Sequence, residues 1–247
     1  MKAKAAELRA ELDQLGTPGR ATREKSYLKS DLTHLGVPVP AIRKVAKSFY
    51  KSHTDLNRRN VLVLVEGLWA APVHELRVVG IELLVLYSDL LREEDIDFVE
   101  ELIRRSSTWA LVDPLATTVT SDLIARYPQL EDRLDVWARD EYMWLRRSAM
   151  LALLLPLRAA GGDFDRFGRY ADQMLDESDF FIRKAIGWVL REVSKKRPDL
   201  VYDWLAPRTH RASGVAMREA VKYLSEPQRR RLIDAYKRKV PADSLPT

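Results

Sequence analysis

Cysteine is absent from the 247 residues, and histidine occurs only at His34, His53, His74 and His210. The first absence excludes disulfides and thiolate metal sites. The scatter of the four histidines gives no metal-ligand spacing, so neither a bound metal nor any other cofactor is expected. Long apolar runs are missing too: the longest, Ala149 to Leu157, is interrupted by Pro156 and falls far short of the ~18 residues that a spanning helix needs. The N-terminal stretch, Met-Lys-Ala-Lys-Ala-Ala-Glu-Leu-Arg-Ala-Glu-Leu, carries charge where a secretory signal needs an unbroken apolar core, so the expected location is the cytoplasm.

Convincing period-two alternation is also lacking, which leaves no strand to propose. Helical periodicity is what the chain has, broken by short Gly, Pro, Asp or Ser punctuation. The pattern predicts an all-α fold. Helices are expected over 2–15, after Thr22, and near 40–51, 57–70, 72–88, 94–105, 109–125, 130–139, 142–158, 164–175, 179–196, 199–205, 213–224 and 226–238. Between the second and third lies Leu35-Gly-Val-Pro38-Val-Pro40, where two prolines oppose helix.

Four helices open alike: Arg77-Val-Val-Gly-Ile-Glu-Leu-Leu, Arg147-Ser-Ala-Met-Leu-Ala-Leu-Leu, Arg183-Lys-Ala-Ile-Gly-Trp-Val-Leu and Arg218-Glu-Ala-Val-Lys-Tyr-Leu. With Asp113 set in the same register the steps are about 35 residues, the size of a helical-hairpin repeat. Such repeats stack into a solenoid with a concave inner wall, read here as one domain spanning 1–247. That wall would be a ladder of arginines with one acid, Asp113, in its middle.

Charge supports a polyanionic partner only weakly. The net charge is +5, but residues 141–247 hold 21 Lys/Arg and 14 Asp/Glu, a balance of +7, against −2 for the remainder. More specific is the stretch Trp109-Ala-Leu-Val-Asp113-Pro114. Val112, Leu115, Ala116 and Val119 make the buried face of a helix there, and Trp109 and Asp113 share its flank. Two readings stand for Asp113: a helix N-cap with Pro114 at the first helical position, or a carboxylate placed to stabilise a cation, and one residue can serve both. Trp188 lies off the apolar face formed by Ile182, Ala185, Ile186, Val189 and Val193, among Lys184, Arg191 and Lys195. It is either a packing residue or an aromatic contact for a sugar or base. The basic clusters, and Tyr27 between Lys25 and Lys29, are individually as compatible with a solvated or packed surface as with DNA.

Taken together, Tyr27-Leu-Lys with Leu35-Gly-Val-Pro-Val-Pro40, Trp109-x-x-x-Asp113, Trp144-Leu-Arg-Arg147-x-Ala149 and Phe180-Phe-Ile-x-Lys184-Ala-Ile-Gly-Trp188-x-Leu-Arg191-Glu192 resemble the AlkD-like DNA-alkylation-repair glycosylases, over nearly the whole chain. The resemblance implies a right-handed α-solenoid of HEAT-like repeats whose concave basic groove grips duplex DNA containing alkylated purines. It implies hydrolysis of the N-glycosidic bond of cationic N3- or N7-alkylated purines, without flipping of the base and with room for bulky adducts. Trp109, Asp113 and Trp188 would be catalytic, and Tyr27, Pro40, Arg147, Lys184, Arg191 and Arg218 would bind DNA. A solenoid that wraps DNA can act as a monomer. Pro38 and Pro114 depart from the family pattern and put substrate preference in doubt. The competing reading is a non-catalytic helical-repeat scaffold.

Overall fold

The computed structural model describes residues 1–245, and among them the only β-pairing is an isolated bridge between Thr33 and Val73. The all-α expectation holds. The chain divides into two compact units, Met1–Leu130 and the part from Glu131 onward. No helix among the described residues is long and apolar enough to cross a membrane.

The first unit contains α1 (Lys2–Leu15), α2 (Pro18–Leu28), α3 (Val39–Ser52), α4 (Arg58–Ala70), α5 (His74–Leu86), α6 (Asp95–Arg104), α7 (Trp109–Pro114) and α8 (Ser121–Arg126). The last two are joined without a break by a π-helical segment, Leu115–Thr120. The second unit contains α9 (Glu131–Trp137), α10 (Met143–Ala152), α11 (Leu154–Arg158), α12 (Phe164–Gln173), α13 (Phe180–Ser194), α14 (Pro198–Leu205), α15 (Gly214–Ala220) and α16 (Glu226–Arg238). Most boundaries fall within a few residues of the periodicity. The second helix is the exception: it begins at Pro18, four residues before the expected start. Proline is at home in a helix's first turn, where its missing N–H would have no intrahelical partner.

In the first unit α3, α5 and the helix built from α7, the π segment and α8 pack in succession, with α4 and α6 against them; in the second, α10, α13 and α15 do the same. The helices that open with the register arginine, or with Asp113, are therefore among those that stack. Polar bonds follow the same period. Arg58 to Asp95, Arg126 to the Leu91 carbonyl, Tyr170 to Asp135 and Arg208 to Asp172 each join residues 35 to 37 apart. One repeat is thus tied to the next by side chains at equivalent positions.

Apolar burial supplies most of the cohesion. On α7 and the π segment Val112, Leu115 and Ala116 are fully buried and Val119 nearly so, which is the face expected from their spacing. Each such aliphatic side chain contributes about 1.5–3 kcal/mol when fully buried. Helices α13 and α15 pack closely, and Gly187 permits it: a Cβ there would meet Ala216 Cα and Glu219 Cβ at 3.0 Å. Only a residue without a side chain lets the two helices approach so nearly.

Candidate active site

Of the two readings of Asp113, the N-cap is not met. Thr108 is the N-cap, its side chain accepting from the Ala110 N–H at 3.4 Å, and the helix starts at Trp109. Asp113 lies one full turn inside. Trp109 and Asp113 are thereby i and i+4 of a continuous helix, and their side chains share a flank. Both are half-buried.

Pro114 follows at the next position and has no N–H to give the Ala110 carbonyl. The helix continues by loosening instead. Leu115 N–H is shared between the Leu111 and Val112 carbonyls, the Thr117 hydroxyl donates to the Asp113 carbonyl at 2.8 Å, and Ser121 N–H reaches back five residues to the Ala116 carbonyl. A π-helical turn so close to a candidate catalytic carboxylate is where such turns often occur.

Tyr27 meets this flank from the end of α2. Its ring stands edge-on to Trp109, with centroids 6.1 Å apart and planes at 89°, yet it remains 73% exposed. An aromatic in this position is partly anchored and largely open to a ligand. The chain leaves α2 through Lys29, in the left-handed conformation (φ 48°), and enters the loop that precedes Pro38. That loop is fixed by one carboxylate. Glu75, wholly buried, accepts from the Leu35, Gly36 and Val37 N–H groups at 2.7 to 3.3 Å. Gly36 adopts φ +77°, and a Cβ there would lie 2.3 Å from the Thr17 carbonyl oxygen, so the loop is pressed against the start of α2. Pro40 is exposed as the second residue of α3. The first unit accordingly brings Tyr27, Trp109 and Asp113 together.

In the second unit Trp188 is half-buried on α13, off the core face as its spacing predicted. Lys184, one turn earlier, is exposed with its ammonium 5.6 Å from the centre of the Phe180 ring. Arg218 is exposed on α15. Arg191 is engaged: it pairs with Glu219 across the tight α13–α15 contact and with Glu192 at 3.3 Å. Burial pushes the Glu192 carboxyl up, but Lys195, Arg191 and Arg158 outweigh it and hold the group below the usual carboxylate range. A phosphate approaching Arg191 would compete with carboxylates already in place.

Arg147 corrects the expectation outright. It is 2% exposed, its Nη1 donates to the Phe181 carbonyl, and its guanidinium lies 5.9 Å from the Phe181 ring centre. A guanidinium held this way cannot reach a backbone phosphate. Two other arginines of the register behave likewise. Arg77 donates to the Arg105 carbonyl at 2.9 Å and Arg183 to the Glu177 carbonyl at 2.7 Å. Burial, with Arg105 nearby, lowers the Arg77 pKa from its ordinary value. The register arginines therefore tie backbone carbonyls of neighbouring segments, and only Arg218 is exposed.

One constellation lies outside the sequence-based reading. His34 and His74 stack with ring centroids 4.6 Å apart and planes at 13°, beside Glu75 and Glu24. Burial lowers the His34 pKa, and it lowers that of His74 to about 4. Forty residues separate the two histidines in the chain, and only the contact of the 33–37 loop with the start of α5 joins them.

The fold is a helical repeat, one helix of which carries an aromatic and a carboxylate on a shared flank, and comparison with known proteins gives its class. Residues 8–224 match the sequence model of the DNA alkylation repair enzymes, and the chain belongs to this family. Its role is in the repair of alkylated DNA, which implies binding to DNA. Solved structures share the fold. One described as a predicted DNA alkylation repair enzyme from Enterococcus faecalis is 23% identical, with a TM-score of 0.76 over 85% of this chain and 97% of that one. AlkD2 from Streptococcus mutans is 19% identical, with a TM-score of 0.61 over 83% of this chain and 99% of that one. The smu.31 protein of Streptococcus mutans UA159 is 18% identical, with a TM-score of 0.58 over 76% and 99%. No curated protein matches the chain.

Proposed function

We propose that the protein is a monofunctional DNA glycosylase that releases cationic N3- or N7-alkylated purines from duplex DNA. The observation that carries this reading is the shared flank of Trp109 and Asp113 one helical turn apart, with the exposed Tyr27 ring set edge-on to the indole. An alkylated purine already bears positive charge and leaves without protonation. What the enzyme must stabilise is the oxocarbenium-like deoxyribose. The Asp113 carboxylate supplies a counter-charge and a base for the attacking water, and the Trp109 indole offers its electron-rich face to the same cation. Trp188, in the second unit, is proposed as a further catalytic indole on the strength of its place in the family motif alone.

Tyr27, Pro40, Lys184 and Arg218 are proposed contacts to the DNA backbone, independent of sequence. Arg191 joins them only if phosphate displaces Glu219. Recognition from the backbone side, with the base left in the stack, would leave the adduct unenclosed and admit bulky alkyl groups.

The test is release of free base from duplex DNA bearing N7-methylguanine or N3-methyladenine, with wild type and Asp113→Asn side by side. Release by wild type alone supports both the activity and the role of the carboxylate. Absence of release by wild type, with duplex binding intact, redirects the reading first to bulky adducts and then to a non-catalytic scaffold.

A further inference from the structure

Beyond any glycosylase activity, we infer that Glu24, His34 and Glu75 form a binding site for one divalent transition-metal ion of the zinc class, clamping α2 to α5 through the loop between α2 and α3. One ligand atom from each of the three residues lies within 4.8 Å of the others. They come from three separate segments: α2, the loop, and the first turn of α5. The donor set, one imidazole and two carboxylates, suits zinc, manganese or iron, and water can complete a tetrahedron.

The decisive residue is His34. It is 8% exposed, and neither Nδ1 nor Nε2 has a hydrogen-bond partner among the described residues. A buried imidazole with both nitrogens unsatisfied loses hydration without compensation, and coordination of an ion removes that cost at one of the two. Stacking on His74 occupies the face of the ring and leaves its in-plane lone pair available. Glu75 also has capacity to spare. Its Oε1 accepts from three backbone N–H groups, while Oε2 accepts from Leu35 N–H alone. The carboxylate that fixes the loop can therefore present its second oxygen to a cation.

Glu24 supplies the adjustment. With bonds of about 2.0–2.2 Å, a tetrahedral ion sets its ligand atoms about 3.5 Å apart, so the three residues must close by roughly an ångström. Glu24 is half-buried, its only ion pair among the described residues is with Arg20 one turn earlier, and α2 buries no side chain of its own. A helix so lightly held can yield that distance. It also carries Tyr27, one turn beyond Glu24, so an ion at this site would fix the helix on which the exposed aromatic stands.

The experiment uses the full chain treated with chelator and then titrated with Zn²⁺ by calorimetry, with thermal unfolding followed in parallel. Mg²⁺ serves as the hard-cation control. The expected result is one Zn²⁺ per chain and a raised Tm, both lost in His34→Gln and the affinity weakened at least tenfold in Glu24→Gln. Glu24 sits on a lightly packed helix, so its variant decides the matter if His34→Gln does not fold. Absence of zinc binding by wild type overturns the site, as does binding that neither substitution alters. Base release does not enter either readout.

Discussion

The same register position does two different things in the repeats. In Arg77, Arg147 and Arg183 it holds a guanidinium against a backbone carbonyl of a neighbouring segment, as a tie between pieces of the protein. Between Arg77 and Arg147 it holds Asp113, half-buried on the flank shared with Trp109. A stacking helix needs something polar at its opening to satisfy its neighbour, and arginine serves because its five donors reach several acceptors at once. An acid there offers no donor. Its presence is a departure from the repeat's own rule, and such departures concentrate at functional sites.

Exchanging roles tests the contrast most sharply. Asp113→Asn keeps the shape and removes the charge; base release is expected to fall by about 10²–10³-fold, the cost of losing one preorganised electrostatic contact. Duplex affinity, measured by anisotropy, should change less than twofold. A variant that still excises at the wild-type rate would leave Asp113 as an ordinary surface acid.

Arg147→Ala is expected to cost stability instead. It deletes a buried guanidinium and its bond to the Phe181 carbonyl, and a loss of about 2–4 kcal/mol in chemical denaturation follows. The slope of log affinity against log salt should stay as in wild type. A flattened slope would return Arg147 to the DNA interface.

Smaller effects are expected at the exposed cations. Lys184→Ala and Arg218→Ala should each weaken duplex binding severalfold and reduce the salt slope by about one, with unfolding unaffected. Equal slopes in variant and wild type would remove either residue from the proposed backbone contacts. Least costly is Thr108→Ala, which deletes the N-cap of the helix bearing Trp109 and Asp113. About 1 kcal/mol of stability is at stake there, read as a modest drop in Tm. No change would mean that Thr108 is not holding the start of that helix.

The helices and their register were legible because each rests on local spacing. The buried face of the Asp113 helix and the apolar face of α13 came directly from 3.6-residue periodicity. What spacing could not reveal was the direction of long side chains. The register does place Arg147 and Arg183 alike on stacking helices, but facing a neighbouring repeat and facing a groove look the same in sequence. The Tyr27–Trp109 contact and the His34–His74 stack were invisible for another reason, since each joins distant segments through tertiary packing alone. Asp113-Pro114 misled because the same dipeptide that opens many helices here sits inside one. Thr108, a sound N-cap residue five positions earlier, was the competing signal.

The π turn after Pro114 has a consequence for how this chain is compared with others. A wider turn takes up about one extra residue, so every side chain beyond Thr120 lags roughly 100° behind the position that an unbroken α-helix would give it. In effect the segment is a single-residue insertion absorbed without a loop. A relative with a donor-bearing residue in place of Pro114 and a regular helix through this stretch would align with it only across a one-residue gap between 115 and 120. Alignments that omit the gap would pair Asp122 and Arg126 with residues from the wrong face.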